Sequence, residues 1–184
     1  EFMKKVLEEN GADADWTVVT FHHSIYSTAS HESDNDIIQR RAELAPVFTE
    51  LGIDVVLMGH DHVYTRSYMM NGTDPVVPAD GTVPESVTDP AEGEVLYVTA
   101  NSASGSKYYS IHNKDFPYAA VMNQESTPNI TNVEVTDSSF AITTYRTTDM
   151  SEVDHFTIYR TEAPKPQPDV TGDTVAEILE SLDK

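Results

Sequence analysis

Two clusters of histidines follow apolar segments of the chain. His22 and His23 come directly after WTVVTF, and His60 and His62 come after IDVVLMG. Neutral imidazole is the side chain that most often binds metal ions in proteins. His60 and His62 are two residues apart, so on extended backbone both side chains would point to the same side. We therefore predict that the two clusters meet around a pair of transition-metal ions.

The segments that must position the clusters are predicted to be strand, loop, helix and strand, in that order. Residues 16–22 are rich in β-branched and aromatic types, and 53–58 form a continuous apolar run of strand length. Between them, a polar loop over 27–36 supplies a helix N-cap near Asp34 to Asp36, and the helix that follows is expected to kink or split at Pro46. This order predicts a βαβ unit with both clusters at the carboxyl ends of its strands, where open α/β sheets bind ligands.

The rest of the chain is predicted to contain one more helix, a long loop and several strands. An amphipathic helix is expected over 2–9, with Phe2, Val6 and Leu7 on its apolar face. A composition rich in Pro, Gly, Asp and Thr predicts a long surface loop over 71–93. Apolar or alternating segments predict further strands, the last three in an antiparallel meander: 94–100, 131–136, 139–147 and 154–161.

Composition restricts the classes of partner. The chain has 184 residues, with 31 acidic against 11 basic side chains and a formal net charge of −20. This charge argues against nucleic acid or an anionic membrane, because binding a phosphate backbone needs clustered Lys and Arg. It permits a small phosphate ester in a pocket that metal ions make locally positive. The absence of cysteine excludes thiolate ligands and thiol nucleophiles. The sequence contains no apolar run of about 18 residues, so we predict no membrane span.

Two sequence blocks resemble a known enzyme family. GHDHVYTRS at 59–67 resembles the final Gly-His-x-His block of the calcineurin-like metallophosphoesterases. FHHSIYS at 21–27 resembles the middle block of that family, which follows a strand. The order of the blocks and the length of chain between them are also similar to the family's.

The residues around the histidines resemble the purple acid phosphatase branch of that family. Its last block commonly reads Gly-His-x-His-x-Tyr-Glu-Arg, which Tyr64 and Arg66 match, and Tyr26 fits its middle block. Thr65 stands in place of the Glu, and residues 24–25 stand where a proline is frequent. Neither departure replaces a metal ligand.

The resemblance implies a fold of the α/β (α+β) class. The chain would form the C-terminal half of a metallophosphoesterase β-sandwich flanked by helices, in which the βαβ unit is followed by antiparallel strands. Residues 1–163 would be the C-terminal part of the metallophosphoesterase domain. Residues 164–184 would be a Pro-rich linker and a short amphipathic helix.

The resemblance also implies a site with two divalent or trivalent metal ions, which would be Fe, Zn or Mn. His22 and His60 would bind one ion and His62 the other. His22 is preferred to His23 because of its register within the block, and the choice between them stays open. His31 would contact the substrate phosphate or protonate the leaving group, and His23 would also contact substrate. Four other residues are expected to have structural or supporting roles: Asp61, Arg66, His112 and His155.

The family's earlier blocks are absent from residues 1–21. These blocks, Asp-x-His, Gly-Asp and Gly-Asn-His followed by Asp or Glu, supply a bridging Asp and further carboxylate and Asn ligands. We therefore expect the parent protein to be the phosphoesterase and this chain alone to be inactive or nearly so. Sheet edges and apolar faces left uncovered would favour self-association, as in a swapped homodimer.

The sequence leaves several functions open. The first is metal-dependent hydrolysis of phosphate esters by an acid phosphatase-like phosphomonoesterase, or alternatively by a phosphodiesterase or nucleotidase with the same site. The second is a non-catalytic extracellular binding module that retains the fold. A third is a carbohydrate-binding β-domain, which rests on the strands at 131–161. The expected partner is a small phosphate ester, and the resemblance favours an extracellular or cell-surface location.

Overall fold

A computed structural model describes residues 2–11 and 14–161. The linker and helix predicted at 164–184 lie outside the described residues. None of the described helices is long and apolar enough to cross a membrane. The elements of the described part are, in chain order, α1 (Phe2–Asn10), β1 (Val18–Thr20), α2 (Asn35–Glu50), β2 (Val55–Met58), β3 (Tyr64–Asn71), β4 (Asp74–Val76), β5 (Ser86–Thr88), β6 (Glu94–Thr99), β7 (Ala119–Asn123), β8 (Asn129–Thr136), β9 (Ser139–Arg146) and β10 (Glu152–Tyr159).

The first sheet contains the predicted βαβ unit. Its strands lie in the order β1-β2-β6-β3-β4, and β7 also pairs with β3. β1 is parallel to β2, with Val18 opposite Val55, and β2 is parallel to β6. β3 is antiparallel to β6, β4 and β7. Because β1 and β2 are direct neighbours and run the same way, the segments that follow them emerge at one edge of the sheet.

The second sheet contains the predicted meander. Its order is β5-β10-β9-β8, in which β8, β9 and β10 pair antiparallel and β5 is parallel to β10. The two sheets with helices beside them agree with the predicted α/β (α+β) sandwich.

The two faces of the first sheet pack against different elements, helix α2 on one side and the second sheet on the other. Val56 and Tyr97 pack with Phe48 of α2 in one core cluster. Val55 and Leu96, one residue along, pack with residues of the second sheet in another cluster, which includes Phe140, Ile142, Phe156 and Ile158. Successive side chains of each strand point to opposite faces of the sheet, so the fold has three layers: helix α2, the first sheet and the second sheet.

Helix α1 turns a different face to the protein from the one predicted. Phe2 is 80% exposed and Val6 is 40% exposed, whereas Met3 and Leu7 pack against the core. Met3 and Leu7 are four residues apart and so lie on one face of the helix. Of the predicted apolar face, only Leu7 is right, because a short helix with few apolar residues admits more than one such face.

Three other local predictions differ from the fold. α2 is one unbroken helix through Pro46, so the predicted split is wrong, and its Ala45 and Phe48 are buried against the sheet. The segment 71–93 contains β4 and β5 in addition to loop. β4 carries Pro75, which a strand tolerates at the edge of a sheet. β3 and β7 lie in segments for which the sequence predicted no strand.

Candidate active site

The two histidine clusters lie at the same edge of the first sheet. The chain leaves β1 into His22 and His23, and it leaves β2 through Gly59 into His60 and His62. The Gly59 amide donates a hydrogen bond of 3.1 Å to the carbonyl of His22. The parallel pairing of β1 and β2 thus extends one step beyond the strands and holds the two clusters side by side.

Three imidazole rings surround that of His60. Nδ1 of His60 lies 3.0 Å from Nε2 of His22. The centroid of the His60 ring is 4.5 Å from that of His31 and 5.0 Å from that of His23. Burial lowers the pKa of His60, and the neighbouring imidazoles of His31, His22 and His23 lower it further. The neutral imidazole, which is the form that binds metal ions, is therefore favoured.

The backbone at His60 and His62 is left-handed, not extended as the sequence predicted. Their φ angles are 74° and 47°, a region that residues other than glycine adopt at a cost of about 1–3 kcal/mol. As a result the two side chains do not point to one side. His60 turns towards His22 and His31, whereas His62 turns away from that pair towards the segment around Lys107.

His62 is held by contacts to residues far along the chain. Its Nδ1 lies 2.8 Å from the carbonyl oxygen of Lys107, and its ring centroid is 5.4 Å from that of Tyr109. The side-chain amide of Gln124 donates to the carbonyl of His62. A backbone carbonyl on Nδ1 leaves Nε2 of His62 as the nitrogen available to a ligand.

Asp61, which lies between His60 and His62 in the sequence, forms hydrogen bonds to the loop that carries His31. Its side chain is fully buried and accepts a hydrogen bond from the hydroxyl of Ser27. It also accepts from the backbone amide of His31, at 3.2 Å. Asp61 therefore fixes the start of the loop that carries His31, which agrees with a supporting role.

The carboxylate of Asp34, which the sequence predicted as a helix cap, orients the His31 ring. Nδ1 of His31 lies 2.7 Å from Oδ2 of Asp34. Asp34 does occupy the N-cap position of α2, but its side chain makes no capping hydrogen bond. It pairs with the imidazole three residues earlier, so a His–Asp pair faces the cluster from the loop side.

The other predicted supporting residues contact carboxylates. Arg66 is 1% exposed and donates to both carboxylate oxygens of Asp154, at 2.7 and 3.1 Å. His112 lies 3.2 Å from Glu32, and His155 lies between two other glutamates, Glu152 and Glu85.

Two imidazole nitrogens of the cluster lie close together. Nδ1 of His60 is 3.0 Å from Nε2 of His22, within hydrogen-bond distance. Within residues 2–11 and 14–161, however, no group of three or more His, Cys, Asp or Glu side chains is arranged to hold a metal ion. The described residues thus bring imidazoles together without forming a complete set of metal ligands.

One cavity of the protein is separate from the histidines. It has a volume of about 340 Å³ and lies between β2, β6 and the edge strand β8. Its lining is mostly apolar, with Leu57, Val98 and Ile130 among the side chains, and no histidine contributes to it. We therefore place the candidate site at the histidine cluster, where the imidazole side chains lie.

Sequence comparison relates the chain to phosphoesterases. Residues 1–64 match the family model described as calcineurin-like phosphoesterase. An uncharacterized protein of Mycobacterium tuberculosis is 32% identical over 90 residues, which are 47% of this chain and 17% of that protein. Purple acid phosphatase 18 of Arabidopsis thaliana is 34% identical over 71 residues, which are 37% of this chain and 16% of that protein.

Structural comparison extends the likeness beyond the matched sequence. The purple acid phosphatase from yellow lupin (Lupinus luteus) seeds superposes with a TM-score of 0.71 at 14% identity, covering 93% of this chain and 31% of that one. The chain spans less than a third of the length of each of these relatives. The lupin protein shares the fold, and the curated relatives share sequence over less than half of this chain. The chain therefore resembles the calcineurin-like phosphoesterases over residues 1–64, and its fold resembles part of a purple acid phosphatase.

Proposed function

We propose that the protein containing this chain hydrolyses phosphate monoesters in a metal-dependent, acid phosphatase-like reaction. The observation that carries the proposal is the meeting of His22 and His60 at 3.0 Å beside His31, which Asp34 holds at 2.7 Å. The pair offers nitrogen ligands, and His31 offers a proton donor within the same cluster. Phosphoryl transfer needs both charge neutralisation and a group that protonates the leaving oxygen.

The metal ligands of the proposal are His22 and His60 for one ion and His62 for a second. Bound ions, whether Fe, Zn or Mn, would supply an activated water and neutralise the charge that builds up on phosphate. The Lys107 carbonyl on Nδ1 of His62 leaves Nε2 for coordination. His23, whose ring lies 5.0 Å from that of His60, remains the proposed substrate contact.

His31 is proposed as the general acid. Its Nδ1 is taken by Asp34, so Nε2 is the atom that would pass a proton to the departing alkoxide. The buried carboxylate of Asp61 holds the His31 backbone amide, which restricts the position of the ring. In this proposal Asp34 and Asp61 orient the acid and do not touch substrate.

We also propose that the 184-residue chain alone is inactive or nearly so. The described residues contain no group of three or more ligand side chains placed for a metal ion. The same observation favours a second candidate, a non-catalytic binding module that retains the fold. We also propose an extracellular or cell-surface location for the protein that contains this chain.

The test uses the longest form of the protein that its gene encodes, loaded with Zn, Mn or Fe, and a chromogenic phosphate monoester. We expect hydrolysis that is lost in His60→Ala and reduced about 100-fold in kcat in His31→Asn. His155→Asn, whose imidazole lies in an ion pair elsewhere, is the matched control and should keep wild-type activity. No hydrolysis by the loaded protein would favour the binding module. Turnover by the 184-residue chain, abolished by His60→Ala, would refute its proposed inactivity.

A further inference from the structure

A segment between β6 and β7 packs against the histidine cluster and has no role in the ligand set proposed above. This segment, GSKYY at 105–109, contacts His62 through the Lys107 carbonyl at 2.8 Å. The ring of Tyr109 lies 5.4 Å from that of His62 and 5.6 Å from that of His31. It therefore touches both the proposed second-metal ligand and the proposed general acid.

The path of this segment depends on Gly105. Its φ is +70°, and a Cβ there would lie 2.8 Å from the hydroxyl oxygen of Tyr108 and 2.9 Å from Cγ of Pro128. Glycine is thus required by both backbone conformation and space. The Gly105 amide donates a 3.1 Å hydrogen bond to the hydroxyl of Ser102. The turn directs Lys107 and Tyr109 towards the histidines.

Lys107 differs from the other cationic side chains of the described residues. Seven of them have a carboxylate partner: Lys4, Lys5, Arg40, Arg66, Lys114, Arg146 and Arg160. Arg41 donates to the backbone carbonyls of Ile25 and Glu32. The Lys107 ammonium lies over the Tyr109 ring, 4.4 Å from its centroid. In a chain with a net charge of −20, a cation whose contact is an aromatic ring next to His31 and His62 is suited to an anionic ligand.

We propose that Lys107, presented on the ring of Tyr109, binds the phosphate dianion of the substrate and selects monoesters over diesters. This inference rests on the proposed phosphoesterase function and names a residue that would favour the proposed monoester over a diester. The exposed cation–π contact is weaker than a charge-assisted hydrogen bond to phosphate, so the flexible ammonium can exchange one for the other.

The preference follows from charge. A phosphate monoester carries close to two negative charges near neutral pH, since its second pKa is about 6, whereas a diester carries one. At equal distance, one ammonium attracts the dianion twice as strongly as the monoanion. Removing the ammonium therefore weakens the transition-state binding of a monoester more than that of a diester.

The experiment compares p-nitrophenyl phosphate with bis(p-nitrophenyl) phosphate in the longest form of the protein, loaded with metal. We expect Lys107→Gln to lower kcat/KM about 10-fold for the monoester and about threefold for the diester, mainly through KM. Lys107→Arg should restore most of the loss. Lys5→Gln removes the same charge from α1, where Lys5 pairs with Glu9, and should change neither value. Equal losses on the two esters, or no loss, would overturn the proposal.

A binding measurement separates this inference from the proposed function. Inorganic phosphate, titrated calorimetrically, should bind about 10-fold more weakly to Lys107→Gln than to the wild type or to Lys5→Gln. If the wild type hydrolyses neither ester, the proposed function fails, and the phosphate titration alone decides on Lys107. Phosphate affinity that is unchanged in Lys107→Gln, or no phosphate binding by the wild type, would overturn the inference.

Discussion

The substitution Asp154→Asn tests how the second sheet supports the segment that follows the histidines. Asp154 on β10 accepts hydrogen bonds from Arg66 and from the hydroxyl of Tyr64 at 2.7 Å, both on β3. Arg66 is also packed on the Phe156 ring, 4.6 Å from its centroid. Burial, followed by the charge of Asp154, raises the pKa of Tyr64, so the phenol stays protonated and acts as the donor. Two buried groups of β3 thus depend on one carboxylate of the other sheet.

The expected cost follows from the burial of this pair. The Arg66 side chain is 1% exposed and that of Asp154 is 9% exposed. Removing one partner of a buried ion pair leaves an uncompensated charge and costs about 3–5 kcal/mol. Asn retains one acceptor oxygen, so we expect about 3 kcal/mol in the free energy of unfolding. For a chain of this length that corresponds to a fall in Tm of about 6–12 °C.

The matched control is an exposed pair of the same geometry. Arg146 donates to both oxygens of Glu125, at 2.5 and 2.7 Å, and this contact lowers the pKa of Glu125 to about 2. Glu125 is nevertheless 43% exposed, and solvent screens such pairs. We therefore expect Glu125→Gln to leave the unfolding midpoint within experimental error of the wild type.

Urea unfolding followed by the fluorescence of Trp16 provides the assay. Trp16 is the single tryptophan, and its ring lies 5.7 Å from that of Phe140 on the second sheet, so it reports on contact between the sheets. The double variant Arg66→Met with Asp154→Leu removes both charges and should recover the part of the lost stability that comes from the unpaired Arg66, while the Tyr64 hydroxyl still lacks its acceptor. If Asp154→Asn were as stable as Glu125→Gln, or the double variant less stable than Asp154→Asn, the reasoning from burial would be wrong.

Three further predictions concern metal binding, pH and self-association. After incubation with Zn²⁺ and desalting, the 184-residue chain should retain less than one equivalent of metal by mass spectrometry, because stable zinc sites use three or more protein ligands; stoichiometric metal lost in His60→Ala would contradict this. A hydrogen bond that His155 donates to Glu152 raises the pKa of His155, so the stabilisation from this contact is full below about pH 6.5 and is lost as pH rises through the raised value. His155→Gln should therefore lose more stability at about pH 5.5 than at about pH 8 in urea unfolding, and equal losses would refute the assignment. Val135, 54% exposed on edge strand β8, should favour self-association, and light scattering should detect an oligomer that Val135→Lys dissociates, whereas a wild-type monomer at every concentration would count against it.

The parts of the fold that the sequence predicts are those in which a residue's type matches its burial. The apolar run before Gly59 gives β2, and the alternating segments after residue 128 give the meander. β3 was missed because its Thr65, Arg66 and Ser67 are polar and yet buried. Their partners, such as Asp154, lie far along the chain, and no local pattern indicates them.

The candidate site divides in a similar way. The clusters at His22 and His60 could be predicted to meet, since parallel neighbouring strands end at the same edge. The left-handed backbone at His60 could not be predicted, because this conformation is unfavourable for a residue other than glycine and depends on the surrounding structure. Lys107 and Tyr109 belong to an irregular segment without periodicity, so only the folded chain brings them to the cluster.

Buried hydroxyl groups join the two sequence blocks into one unit. The hydroxyl of Ser27, in the first block, donates to Asp61 in the second, and the hydroxyls of Thr28 and Thr65 lie 2.9 Å apart. Thr65 stands where purple acid phosphatases commonly have Glu, and its short side chain is 1% exposed against the loop that leads to His31. A buried hydroxyl left without its partner is costly, so each contact holds one block in register with the other. The placement of the imidazoles is therefore built into the βαβ unit and its loop.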